Sequence, residues 1–303
     1  MKRFLISLMA LSLILLTGAG LAAPVYAEGM APVAENLELR TYKNVSVSGM
    51  LSAYDPDGDI AGYEISTDPV KGYVELSQDG SFSYTPGEDK KGKDYFGYKA
   101  VDKEGNYSQE ATVIISIQKQ RKQVSYGDME GLAGEYYAIA LSENGIFTGE
   151  QICGEYCFYP DKAVTRGEFI SMCMKVAGEP VVSGAISTGY GDDESIPVWM
   201  KPYAVTAAMC GIDGGRSRGE ERVFDPASPI SRREAAVILN KTLGLNDVSY
   251  LELDASMEPE AAQACANLSA SGIIHEGVLI QDSLDRIEAA ELLIKALELV
   301  NGR

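Results

Sequence analysis

Histidine and tryptophan occur once each in this chain of 303 residues, as His275 and Trp199. One histidine, with no cysteine pair at ligand spacing from it, argues against a structural zinc site. His275 follows Ile273 and Ile274 with no evident nucleophile partner, and the abundant carboxylates cannot be paired without geometry. Since a function has to be argued from a site and no catalytic one is visible, a non-catalytic protein is expected. Basic residues are also scarce: 26 Lys and Arg stand against 44 Asp and Glu, for a formal charge of −18. That balance argues against nucleic acid, whose phosphates demand clustered cations, and against acidic lipid surfaces. An anionic ligand would have to be held by local arginines against an unfavourable overall field. The five cysteines all fall in the C-terminal half, and their odd number leaves at least one unpaired. Cys153 and Cys157 are spaced to bridge a loop. Cys173, Cys210 and Cys265 sit in apolar helical patterns and read as small core residues.

Long apolar runs are missing beyond the N-terminus. Lys2 and Arg3, the apolar stretch Phe4 to Leu16 and the small-residue site Val25-Tyr26-Ala27 read as a secretory signal over residues 1–27. No cysteine stands near the cleavage point to suggest a lipoprotein. Losing Lys2 and Arg3 would take the charge from −18 to −20. An exported protein of two domains is expected, with no membrane span after signal removal.

Residues 28–118 carry a period-two pattern. Val45-Ser46-Val47-Ser48, Gly72-Tyr73-Val74-Glu75-Leu76 and Ser81-Phe82-Ser83-Tyr84 alternate, and Ala111 to Ile117 is a β-branched run. Turn signals at Asp57-Gly58, Asp79-Gly80 and Glu104-Gly105-Asn106 punctuate it. This predicts an all-β immunoglobulin-like sandwich. Asp55-Pro56-Asp57-Gly58-Asp59, Asp79-Gly80-Ser81-Phe82-Ser83-Tyr84-Thr85-Pro86 and Asp94-Tyr95-Phe96-Gly97-Tyr98 resemble the cadherin-like, immunoglobulin-fold repeats of bacterial surface proteins. The resemblance implies a spacer or adhesive module. Asp55, Asp57 and Asp59, with Asp102 as remote partner, have two readings: a tight acidic turn or a calcium site. They do not form an EF-hand loop, because Gly58 holds the fourth position and Ser66 the twelfth.

Residues 119–125 form a basic, polar linker, and beyond it the period becomes helical. Three times a capping residue is followed by arginine, any residue and glutamate: Thr165-Arg166-Gly167-Glu168, Ser231-Arg232-Arg233-Glu234 and Asp285-Arg286-Ile287-Glu288. Thr165, Glu168, Ser231, Glu234, Asp285 and Glu288 are expected to cap helices. The arginines oppose the positive end of the helix dipole, so they need an anionic partner. That partner is either a bound ligand or a carboxylate of a neighbouring repeat. Tyr126-Gly127-Asp128 and Tyr190-Gly191-Asp192 open the first two units. Gly145-Ile146 and Gly211-Ile212 precede the arginine by 21 residues, while Gly272-Ile273 precedes it by 14. Each unit reads as two helices joined by a loop, with Asp128, Asp192 and Asp254 capping the first helix.

This register, together with Phe158-Tyr159-Pro160 and Phe224-Asp225-Pro226, resembles the S-layer homology family across residues 126–303, as repeats of about 126–180, 187–245 and 250–303. The resemblance implies an all-α pseudo-threefold helical bundle whose grooves bind secondary cell-wall polysaccharide through a pyruvylated sugar, at a Gram-positive-type cell surface. It makes Arg166, Trp199, Gly211, Ser231, Arg232 and Arg286 the polysaccharide-binding candidates, with Trp199 as either sugar platform or core anchor. Gly167, Arg233 and Ile287 depart from the family's alanine, and the third unit lacks the Phe-x-Pro loop. The second groove is therefore the expected site. The alternative function is an adhesin or surface-assembly component whose sandwich binds a protein or glycan, with calcium in play.

Overall fold

The computed structural model describes residues 29–249, 257–274 and 283–302; the signal-like segment, Asp254 and His275 lie outside them. The first part is all β. Nine strands run β1 (Val33–Ala34), β2 (Leu37–Tyr42), β3 (Val47–Met50), β4 (Ala53–Tyr54), β5 (Ile60–Thr67), β6 (Gly72–Leu76), β7 (Ser81–Pro86), β8 (Gly92–Asp102) and β9 (Ala111–Gln118). They form a four-stranded sheet in the order β2-β9-β8-β5, a three-stranded sheet β3-β7-β6 and the short pair β1-β4. Only β2 and β9 pair in parallel. Alternation sets which side chains face inward: Phe82 and Tyr84 from β7, Phe96 and Tyr98 from β8, and Val113, Ile115 and Ile117 from β9 are buried. Phe82 and Phe96 meet edge to face across the two sheets at 5.3 Å. The buried Asp94 carboxylate accepts from Tyr84 Oη (2.7 Å) and from the N–H groups of Val70 and Lys71, which fastens the β5–β6 connection.

The described residues of the C-terminal half carry six α-helices: α1 (Glu135–Glu143), α2 (Arg166–Ala177), α3 (Lys201–Met209), α4 (Arg232–Leu243), α5 (Pro259–Ala270) and α6 (Arg286–Gly302). The connections in the first two units are not plain loops. Each holds a hairpin of two three-residue strands, β10 (Glu150–Ile152) with β11 (Glu155–Cys157), and β12 (Arg216–Arg218) with β13 (Glu221–Val223). Strands this short show too little alternation to be read from sequence.

The Gly-Ile dipeptides end the first helix of every unit. Gly145, Gly211 and Gly272 sit at φ of +72°, +70° and +71°. The N–H groups of Ile146, Ile212 and Ile273 return to the carbonyls of Leu141, Ala207 and Leu268 at 2.9–3.0 Å. These are Schellman caps, and burial of each isoleucine supplies the accompanying hydrophobic contact. The second helices meet at a backbone triangle. Val164 N–H donates to Leu284 O (2.9 Å), Leu284 N–H to Ile230 O (2.9 Å), and Ile230 N–H to Val164 O (3.0 Å). All three side chains are buried, so the units are joined cyclically at a dry centre.

The linker is pinned. Glu143, buried at the end of α1, accepts from the N–H groups of Arg121 (2.9 Å) and Lys122 (2.6 Å), and Tyr42 packs on Tyr136 at 5.8 Å. Burial pushes the Glu143 carboxyl up, but the Lys122 and Arg121 N–H donors and the Arg121 guanidinium outweigh it, so its pKa is lowered. A depressed carboxylate stabilises the fold above its unfolded value, about 4.3, and that contribution is lost as pH falls through the folded value. Glu143→Gln should therefore flatten the acid limb of stability against pH between about pH 5 and pH 3, the range flanking that unfolded value. Equal slopes in urea titrations of variant and parent would contradict the clamp.

Candidate functional site: clasps and grooves between repeats

The helix starts carry the expected caps. Thr165 Oγ1 accepts from Glu168 N while Glu168 returns to Thr165 N (2.9 Å), a complete capping box. Asp285 and Glu288 exchange the same two bonds, and Ser231 accepts from Glu234 N. The next amides are also satisfied internally. Arg166 N donates to Ser228 O and Gly167 N to Pro226 O; Arg286 N donates to Lys162 O and Ile287 N to Pro160 O. The start of α2 and that of α6 thus spend their free donors on the loop of another repeat, leaving little for a ligand.

The arginines follow the same cyclic path. Arg166 is 2% exposed. Its Nε donates to Phe224 O (2.8 Å), and its two terminal nitrogens pair with Glu234 and Asp213. Arg286, 5% exposed, donates to Phe158 O (2.9 Å) and Glu150 (2.7 Å) and lies over the Phe147 ring at 5.0 Å. Arg232 pairs with Glu288, its Nε at 3.1 Å. The first repeat thus clasps the second, the second the third, and the third the first. Each arginine faces the dipole's positive end because carboxylates or carbonyls of a neighbour neutralise it.

The aspartates expected to cap first helices do something else. Asp128 accepts from Phe158 N (3.0 Å) and Tyr159 N (2.7 Å), and Asp192 from Phe224 N (2.7 Å) and Asp225 N (2.8 Å). Tyr159 and Asp225 have φ of +56° and +55°, and non-glycine residues there need outside support. Asp128 and Asp192 therefore brace the Phe-x-Pro loops whose carbonyls receive the arginines. They stand too far ahead of α1 and α3 to cap them.

Beside the clasps run grooves, each bounded by the second helix of one repeat and the first of the next. The α4–α5 groove encloses about 860 Å³ and is lined by Arg216, Arg222, Ser231, Arg233, Lys241 and Glu258, among others. Arg216 pairs with Glu234 and Asp225, Lys241 with Glu260, and Arg222 donates to the carbonyls of Gly214 and Gly215. Arg233 has no ion pair among the described residues, and its Nε is buried without a hydrogen-bond partner. The residue between Arg and Glu of the motif faces the start of the next repeat's first helix. A Cβ on Gly167 would overlap Met200, and Ile287 already fills the space above Gly134. Only in the α4–α5 groove does a cation take that place. The sequence marks the position, since Ser231-Arg232-Arg233-Glu234 is the one copy of the motif with two arginines.

Trp199 is 57% exposed, set edge to face with Tyr203, and does not line the α4–α5 groove. The matching positions in the other repeats, Ala133 and Glu260, do line grooves. Trp199 therefore belongs to the α2–α3 side, and one repeat contributes walls to two grooves. The α6–α1 groove, about 720 Å³, has Leu37, Leu39 and Met50 of the sandwich as its far wall. Gly211, as a cap, keeps open space at its Cα. All five cysteines are free; Cys173 and Cys265 are buried, whereas Cys210, expected in the core, is exposed at the end of α3. In the sandwich Asp55, Asp59 and Asp102 converge, while Asp57 turns to accept from Met30 N (2.6 Å). No helix among the described residues is long and apolar enough to cross a membrane.

Residues 29–119 match the bacterial cadherin-like domain, which covers the whole sandwich. A stretch of 121 residues is 31% identical to the surface-layer 125 kDa protein of Lysinibacillus sphaericus, covering 40% of this chain and 10% of that protein. Another alignment, of 133 residues, is 29% identical to exoglucanase XynX of Acetivibrio thermocellus, covering 42% of this chain and 11% of that one. The chain thus spans about a tenth of the length of these curated relatives. The sialic-acid-binding region of a Streptococcus sanguinis adhesin superposes over 33% of this chain and 32% of its own, at 15% identity and a TM-score of 0.25, too low to carry an argument.

Proposed function

We propose that this is an exported, non-catalytic surface protein that binds an acidic cell-wall polysaccharide through its helical repeats and displays the sandwich as a spacer. The three-repeat half is then an S-layer homology anchor, and its ligand is a carboxylate-bearing sugar such as a pyruvylated one. The observation that carries this reading is Arg233, a groove-facing guanidinium without an ion pair among the described residues, in a protein whose motif arginines are otherwise consumed by clasps. A guanidinium in a half-enclosed groove offers a fork of N–H donors to a carboxylate. The neighbouring Arg222 and Ser231 extend the donor set. The partial likeness to a surface-layer protein supports a surface location.

A pull-down on purified wall carrying pyruvylated polymer, against wall stripped of pyruvate, tests it. Retention on the first and loss on the second is the expected result; equal binding to both would remove the acidic-sugar claim.

A further inference from the structure

The α6–α1 groove has the sandwich as its far wall, and two edge strands face it in different ways. β2 contributes alternate residues, Leu37 and Leu39, and so lends it side chains. β3 contributes Ser48, Gly49 and Met50 in succession, which side chains on one face of a strand cannot do. A Cβ on Gly49 would strike Phe82 and Leu39, so that position points into the core and reaches the groove through its main chain. The groove therefore runs along the backbone edge of β3. This strand pairs on one side only, with β7. Leu51 N donates to Gly80 O (2.9 Å) one step beyond the Met50–Ser81 pair, which sets the phase of the ladder. Val47 and Gly49 thus exchange bonds with Tyr84 and Phe82, and the N–H and C=O groups of Ser48 and Met50 point away from β7. No hydrogen bond from the described residues takes them.

An open strand edge is a template for another strand, and folds blunt it with bulges or cover it. β5, an edge of the larger sheet, is broken by irregularities at two places. β3 has none, and the helical half roofs it without pairing, leaving about 720 Å³ between them. The walls are apolar: Met50 is 42% exposed and Leu132, just ahead of α1, 46%, although both line a cleft between two domains. Ile287 fills the place that Arg233 holds in the α4–α5 groove, so an acidic sugar finds no guanidinium here. The charge is acidic instead, with Asp161, Glu288 and Glu291 against Lys295. Glu291 is paired with Lys295 and Glu288 with Arg232, while Asp161 has no ion pair among the described residues. At the same helix start, burial together with the Glu288 and Asp161 carboxylates pushes the Asp285 carboxyl up, a field that favours a cation.

We propose that the α6–α1 groove binds an extended, basic segment of a partner protein, which adds as a strand to the free edge of β3. Main-chain bonds to Ser48 and Met50 hold it, and alternate side chains select it. Its apolar side chains face Leu37, Leu39 and Ile287, and its Lys or Arg side chains face Asp161. The four residues of β3 offer roughly 13 Å of edge at about 3.3 Å each, enough for a short segment. Donors and acceptors in line at strand spacing fit a polypeptide backbone better than a sugar. The groove shares no lining residue with the α4–α5 groove, so the proposal stands apart from the wall-binding reading. The chain would then hold its partner at the junction of sandwich and helical repeats.

The test is fluorescence anisotropy of the full mature chain with a labelled hexapeptide alternating lysine and valine, with amide exchange read on the same samples. The peptide should bind at least about tenfold more tightly than a copy alternating glutamate and valine, and should slow exchange at the Ser48 and Met50 N–H groups about tenfold. Of two further copies, N-methylated at every lysine or at every valine, at least one should bind about tenfold more weakly, having lost the donors that face β3. Ser48→Pro removes an edge donor without touching a β7 bond, and Asp161→Lys reverses the unpaired charge; each should weaken the lysine peptide about fivefold or more. No binding at millimolar peptide, equal affinity for the glutamate copy, or full affinity of both methylated copies would overturn the proposal. So would a chain that sediments as a dimer with Ser48 and Met50 already protected, because the edge would then belong to a second copy. Protection of the same two amides by purified wall polymer alone would overturn it in favour of a sugar.

Discussion

Replacing Arg166 by alanine should destabilise the helical half by about 3–5 kcal/mol, the cost of breaking a buried ion pair by removing one partner. The substitution leaves Asp213 and Glu234 facing each other beside the Phe224 carbonyl, with the cation that joined them gone. Asp213 is itself buried, so water reaches it poorly. Arg166→Lys should recover little, because an ammonium cannot address two carboxylates and a carbonyl from one planar fork. Adding Asp213→Asn to Arg166→Ala should return part of the loss, as coupled neighbours are not additive. Urea denaturation followed by circular dichroism at helical wavelengths reads the effect. A change below about 1 kcal/mol, the scale of an exposed surface pair, would mean that the clasp is solvated and the buried ion-pair argument wrong.

The second large effect is expected at Asp192. Its carboxylate holds the N–H groups of Phe224 and Asp225 at the start of a loop whose second residue has positive φ. Asp192→Ala should cost about 2–6 kcal/mol, from two backbone donors each losing an acceptor at roughly 1–3 kcal/mol. Asp192→Asn, which keeps one acceptor oxygen, should fall between. Because Phe224 also supplies the carbonyl that receives Arg166, the loop and the clasp should fail together. Amide exchange at Phe224 and Asp225 would report the loop directly. Protection there that survives Asp192→Ala would show that the turn holds itself.

What could be read from the sequence was local. The Gly-Ile helix ends, the capping residues at 165, 231 and 285 and the alternation of β7 and β9 depend on neighbours within a few positions. Each pattern therefore carries its own geometry. What escaped was long-range. The anionic partners of Arg166 lie 47 and 68 residues away, and that of Arg232 lies 56 away. The spacing of the motif shows that each arginine needs an anion without showing whether the protein or a ligand supplies it. Asp128 and Asp192 are ambiguous for the same reason, because an aspartate ahead of a helix looks like a cap until its loop partner some 30 residues later is known. Arg233 shows the opposite case. It looked like a break in the pattern, and only its place opposite Glu258 across an open groove gives the substitution a purpose.

Arg166, Arg232 and Arg286 close the ring of repeats, and Arg233 is the residue we propose to meet the ligand. Titrating the mature chain with purified pyruvylated wall polymer, for the parent and for Arg233→Ala, tests that division most directly when melting temperatures are recorded on the same samples. Arg233→Ala is expected to bind at least tenfold more weakly, roughly the 1.4 kcal/mol of one charge-assisted contact, while melting within about 2 °C of the parent. Unchanged affinity in a variant that melts normally would contradict the assignment of the α4–α5 groove.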